Sequence, residues 1–133
     1  MLRTKDILDE KDPRVRAKNT DVDFPLNDEY KDIIPEMLKH LRYSQIEKLS
    51  KKYDLRPGMG LAAPQLGINK NFFVVCYEVK DGVFDDYILI NPKIISYSEE
   101  MIYAGEGEGC LSVNREVEGI VPRHARITVE AYD

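Results

Sequence analysis

A thiol set among glycines is the residue here with the widest choice of chemistry. Cys110 lies in GEGEGCLS, residues 105 to 112, between alternating glycines and acids on one side and Leu111-Ser112 on the other. Such a thiol can be half of a disulfide, a buried filler, a nucleophile or a metal ligand. The other cysteine, Cys76, sits inside FFVVCYEV, an apolar wrapping that suits a small buried hydrophobe. With no C-x-x-C, the two cysteines offer neither a disulfide framework nor a four-thiolate zinc site. Two histidines complete the inventory: His40 in an amphipathic stretch and His124 in PRHARI, both read as surface or half-buried polar residues.

A second stretch with chemical potential is GMGLAAPQLG, residues 58 to 67. Its GMGLAA satisfies the G-x-G-x-x-A dinucleotide pattern, but that fingerprint needs a strand before it and a helix after it. Here a polar helical segment precedes and Pro64 follows at once. The remaining readings are a glycine turn into a small-residue strand, or a segment whose glycines let another chain approach the backbone. Gln65 would then project a primary amide, a group that stabilises a developing oxyanion when preorganised.

The elements that must hold these residues follow from apolar period. Residues 1 to 26, punctuated by Pro13 and Pro25, are expected to form an irregular arm on the surface. From the N-cap candidate Asn27, Ile33, Ile34, Met37, Leu38 and Leu41 share a helical face. Pro35 belongs in a first turn, so the main helix is predicted to start near Ile33, or else to kink. SQIEKLSKKYD carries a second helical stripe that the Pro-Gly break of LRPG ends. After Gly60 the period changes: residues 71–79, 87–95 and 126–132 are β-branched and aromatic. Lys80-Asp81-Gly82, with the Asp85-Asp86 pair, is expected to join the first two as a hairpin. Helices first and strands later predict α+β, with antiparallel or mixed β-sheets packed around a main helix.

At 133 residues the chain is expected to be a single domain. A formal charge of −5 and the lack of a basic block argue against nucleic acid binding. No apolar run is long enough for a membrane span, and the charged start is unlike a signal peptide, so the expected location is cytoplasmic.

Taken together and in this order, GMGLAAPQ and EGCLS closely resemble the peptide deformylase family, and the resemblance runs from the DIL of the arm to Asp133. The helical region and RHARITVEAYD are similar to its Gram-positive, type 2 branch. The resemblance implies that Cys110 is a thiolate ligand of a catalytic divalent metal, usually ferrous iron (Fe2+), with nickel, cobalt or zinc as substitutes. It implies a metal-activated water that attacks the formyl carbonyl of an N-formylmethionyl peptide of a nascent chain. Gln65 and the backbone N–H of Leu111 would hold the oxyanion. Gly58, Met59 and Gly60, with Gly107, Glu108 and Gly109, would bind the peptide's main chain along a strand edge.

The family's third motif, HExxH on a helix, is not in this sequence, and neither His40 nor His124 takes its place. One ligand of three is therefore expected, with the general acid/base glutamate and the catalytic helix absent. The expectation is a deformylase-like domain that is incomplete and inactive or nearly so, or a relative acting at most as a formyl-methionyl peptide-binding module. A cysteine hydrolase pairing Cys110 with His124 is the competitor from another class. Apolar side chains of the sheet are expected to be exposed where that helix would pack.

Overall fold

Asn27 starts the first helix: its side-chain oxygen accepts from the Glu29 N–H at 2.7 Å, satisfying a donor that the helix leaves open. In the computed structural model, which describes residues 1–113 and 115–133, this helix α1 runs Asp28–Ser44. It begins earlier than expected, and Pro35 lies inside it. Losing one N–H costs a helix about 3 kcal/mol. The Asn27 cap, the acidic first turn and the buried stripe of Ile34, Met37 and Leu41 offset that cost. A short second helix α2, Glu47–Tyr53, ends on Asp54 in the left-handed region.

Six strands follow among the described residues: β1 Gly60–Ala62, β2 Phe72–Lys80, β3 Val83–Tyr97, β4 Met101–Ile102, β5 Arg123–His124 and β6 Ile127–Tyr132. β1, β2, β3 and β6 form one antiparallel sheet in that order, and β4 pairs with β5 apart from it. The architecture is α+β with antiparallel sheets, as the change of apolar period predicts. The hairpin turns on Asp81-Gly82 alone. Asp85 and Asp86, expected in the connection, belong to β3 and sit opposite Tyr77 and Cys76.

β2 alternates strictly at its start, with Phe72, Val74 and Cys76 buried, and these side chains meet the apolar stripe of α1. The arm does more than lie on the surface. Val22 is buried in the same core, and the Asn91 side chain binds its N–H at 2.7 Å and its C=O at 3.0 Å. Asn91 has φ +51° and stands before Pro92, where the ladder to β6 shifts register. A proline without an N–H at such a bulge is expected.

Beyond that bulge the sheet is bare. Ile94, Ile95, Tyr97 and Ile127 are each more than half exposed. Every residue of β6 is exposed and successive side chains of a strand alternate between faces, so neither side of this end is covered among the described residues. No helix among the described residues is long and apolar enough to cross a membrane.

The Asn91 clamp yields a stability prediction. Asn91→Ala removes two partly buried hydrogen bonds and places alanine at positive φ, so unfolding in urea should show a loss of about 2 to 3 kcal/mol. A loss under about 0.5 kcal/mol, the scale of an ordinary surface change, would mean the arm is not anchored there.

Candidate active site

The segment before β1 and the turn after it are shaped by burial. Leu61 and Ala63 are in the core, and β1 is held to β2 by Gly60 opposite Val75 and Leu61 opposite Val74. A 3-10 turn, Ala63–Leu66, with Pro64 at its start, then ends on Gly67 at φ +81°. This turn folds the Gln65 side chain back on its own strand, where its oxygen accepts from the Ala62 N–H at 2.9 Å. The amide nitrogen is left facing outward, 3.1 Å from Ser112 Oγ and 3.8 Å from Cys110 Sγ. An amide nitrogen has two hydrogens. One is engaged by the hydroxyl, and the other faces the sulfur at long range.

The Cys110 side is held by polar contacts. The Val113 N–H donates to the Cys110 carbonyl at 3.0 Å, closing a tight turn. Arg56 Nη2 donates to the carbonyls of both Cys110 and Val113, at 3.1 and 3.2 Å. From the arm, the Leu8 N–H reaches the Gln65 carbonyl at 2.7 Å and the Glu10 N–H reaches the Ser112 carbonyl at 2.8 Å. The arm thus bridges the two motifs. Cys110 itself is exposed, while Leu111 is half-buried and packs on the core.

Gln65, Cys110 and Leu111 meet in one cavity of about 550 Å³, whose wall also includes Gln45, Arg56, Pro57, Gly58, Met59, Gly60 and Gly109. Glu108 lines an adjoining cavity instead, with its carboxylate paired to Arg123, and Gly107 is on the wall of neither. Arg123 holds the Glu108 carboxyl below the usual carboxylate range. Gly58 lacks a side chain for an internal reason, since a Cβ there would lie 2.9 Å from Leu111 Cδ1. At Gly60 a Cβ would have ordinary clearance, and at Gly109 open space.

Residues 4–133 match the family described as polypeptide deformylase. This chain belongs to the peptide deformylase family. A peptide deformylase of Oceanobacillus iheyensis is 47% identical over 133 residues, all of this chain and 73% of that protein. Peptide deformylase 2 of Bacillus anthracis is 47% identical over 131 residues, 98% of this chain and 71% of that protein. Among solved structures, a probable peptide deformylase from Synechococcus phage S-SSM7 superposes with TM-score 0.72 at 32% identity, covering 92% of this chain and 72% of that one. The peptide deformylase of Thermotoga maritima does so with TM-score 0.65 at 32% identity, covering 94% and 71%.

The donor set of this deformylase-family chain is narrow. Among the described residues no three His, Cys, Asp or Glu side chains converge as a metal site. His40 is buried with Nδ1 2.9 Å from the Leu2 carbonyl, and His124 packs on Tyr97 with Nδ1 2.8 Å from the Ser98 carbonyl. Neither lines the Cys110 cavity. A divalent metal would find one thiolate here, which is not a complete site. Ser112 and Arg56 were not singled out from the sequence. Ser112 directly follows the motif leucine, but nothing in its type marks a buried hydroxyl, and Arg56 reads only as part of a helix-ending LRPG.

The two thiols differ sharply in setting, and that difference is testable. Cys76 is fully buried, and burial first, then the Asp86 carboxylate, push its thiol from 9.0 up to about 11. The neutral thiol is the form the fold favours, so this contribution to stability is complete below about pH 9 and is lost as pH rises through about 11. Iodoacetamide labelling followed by peptide mapping should modify Cys110 in the native protein and Cys76 only in urea. Labelling of both at similar native rates would contradict the packing.

Proposed function

We propose that these residues form the peptide-binding and oxyanion-stabilising part of a deformylase, which hydrolyses the N-formyl group from the N-terminal methionine of newly made proteins in the cytoplasm. The observation that carries this reading is the meeting of the Gln65 amide, the Cys110 thiol and Leu111 in one cavity. The Gln65 N–H that faces the sulfur and the Leu111 backbone N–H act as donors to the oxyanion formed at the formyl carbon. Each such donor contributes about 3 kcal/mol to the transition state. The backbone of Gly58, Met59 and Gly60 on one side, and of Gly109 on the other, holds the substrate's main chain as an added strand, with Glu108 and Gly107 reaching it only where the peptide extends past this cavity.

In this reading Cys110 is a metal ligand, and ferrous iron is the metal proposed for it. Tight binding and turnover need further ligands and a proton-transferring carboxylate. A second reading, a module that binds formyl-methionyl peptides without hydrolysing them, is favoured by the single-donor set among the described residues.

Two measurements test these readings. The 133 residues alone, dialysed against iron, nickel or zinc, should retain far less than one equivalent and leave formyl-Met-Ala-Ser intact. Adding a peptide that carries an HExxH helix should restore both metal binding and hydrolysis, and in that reconstituted form Gln65→Leu should lower kcat/KM roughly a hundredfold. One tightly held metal with hydrolysis by the 133 residues alone would overturn the claim of an incomplete site. Equal affinity for formylated and unformylated peptide would overturn the deformylase reading itself.

A further inference from the structure

The end of α1 is built into the cavity wall. Ser44 and Gln45 close the helix, yet their polar atoms reach across to the segment that leads into β1. Ser44 Oγ accepts from the Gly58 N–H at 3.1 Å and donates to the Leu41 carbonyl at 2.7 Å. The Gln45 amide nitrogen lies 2.8 Å from the Gly58 carbonyl, 2.7 Å from the Cys76 carbonyl and 3.2 Å from the Leu41 carbonyl. Its oxygen accepts from the Glu78 N–H at 3.3 Å. Capping alone would need only the Leu41 contact, and that is the longest of the three donor contacts.

The location of this amide is where the β1–β2 ladder stops. Gly60 to Ala62 pair with β2, and one step outward the Cys76 N–H still donates to the Met59 carbonyl at 2.8 Å. At that step the Cys76 carbonyl is taken by Gln45 instead. The amide is therefore a wedge between β2 and Gly58, and both polar groups of Gly58 are held by helix side chains rather than by a strand. Gly58 in turn sits against Leu111, whose side chain would have to shift to admit a Cβ. Gln45 also faces the cavity that contains Cys110 and Gln65.

We propose that Gln45, assisted by Ser44, is a positioning residue of the site: Gln45 fixes the C=O of Gly58 and Ser44 its N–H, and together they set the Gly58–Gly60 wall and, through Gly58, the seat of Leu111 beside Cys110. Its consequence for peptide binding rests on the deformylase reading; the positioning itself does not.

Gln45→Met keeps the side-chain volume and removes the donors. Amide hydrogen exchange followed by NMR should show Gly58 and Cys76, whose N–H groups donate to Ser44 Oγ and the Met59 carbonyl beside the Gln45 amide, exchanging about tenfold faster, the loss of roughly one net hydrogen bond, while Val74 deeper in β2 stays unchanged. The dissociation constant for formyl-Met-Ala-Ser should rise by about the same factor. Unchanged exchange at Gly58 and Cys76, or equal acceleration at Val74, would overturn the proposal. If Gln45→Met does not fold, Ser44→Ala decides by the same comparison: faster exchange confined to Gly58 and its neighbours supports the proposal, and uniform or absent change overturns it. Failure of the parent chain to bind the peptide would count against the deformylase reading, and the exchange comparison would still decide the positioning role.

Discussion

The pairing of Gly60, Leu61 and Ala62 with Val75, Val74 and Phe73 is the contact on which the rest of the site depends. A strand of three residues has no stability of its own, so its position is that of β2, which α1 covers with Ile34, Met37 and Leu41. Alternation then fixes which way each residue faces. Leu61 is buried, and a slip of one residue would turn it to solvent and carry a neighbour into the core. The turn at Ala63–Leu66 starts from this fixed point, and the Gln65 amide is aimed by it, with its oxygen tied to the strand and its nitrogen outward.

The other half of the site is held differently. The segment around Cys110 offers little apolar surface to the core beyond Leu111, and the exposed thiol adds none. Its place comes from side-chain and backbone hydrogen bonds that reach it from three elements: Arg56 after α2, Gln65 after β1, and Glu10 in the arm. Glu10 also binds Arg115 through both carboxylate oxygens, and that guanidinium holds its carboxyl below the usual range. Exposed pairs of this kind contribute little to global stability. Their effect here is local, since each removes freedom from a short stretch that packing does not fix.

β3 divides the molecule at Asn91-Pro92. On the near side it shares the core with β2 and α1; on the far side it pairs with β6 and carries isoleucines and tyrosines into solvent. A thiol with no other converging donors and an exposed apolar end of the sheet occur together among the described residues. Metal chemistry requires several donors at one point, and apolar sheet faces require cover. Among the described residues neither requirement is met.

Sequence alone determined the elements whose signal is periodic, and the two motifs. The period-2 runs became β2, β3 and β6, the 3.6-residue stripe became α1, and the Asp81-Gly82 turn followed from local chemistry. GMGLAAPQ and EGCLS together are enough to indicate the family to which residues 4–133 belong. The start of α1 was misjudged because Pro35 acts locally, whereas the burial that outweighs it is a tertiary effect. The anchoring of the arm through Val22 and Asn91, the hydroxyl of Ser112 under Gln65, the grip of Arg56 on the Cys110 turn and the Gln45 wedge were decided only by the tertiary structure. Each is a single hydrogen-bonding side chain meeting a backbone group far away in sequence. Such contacts leave no period in the chain, because the partner is a carbonyl or N–H that every residue carries and only the fold selects which one is near.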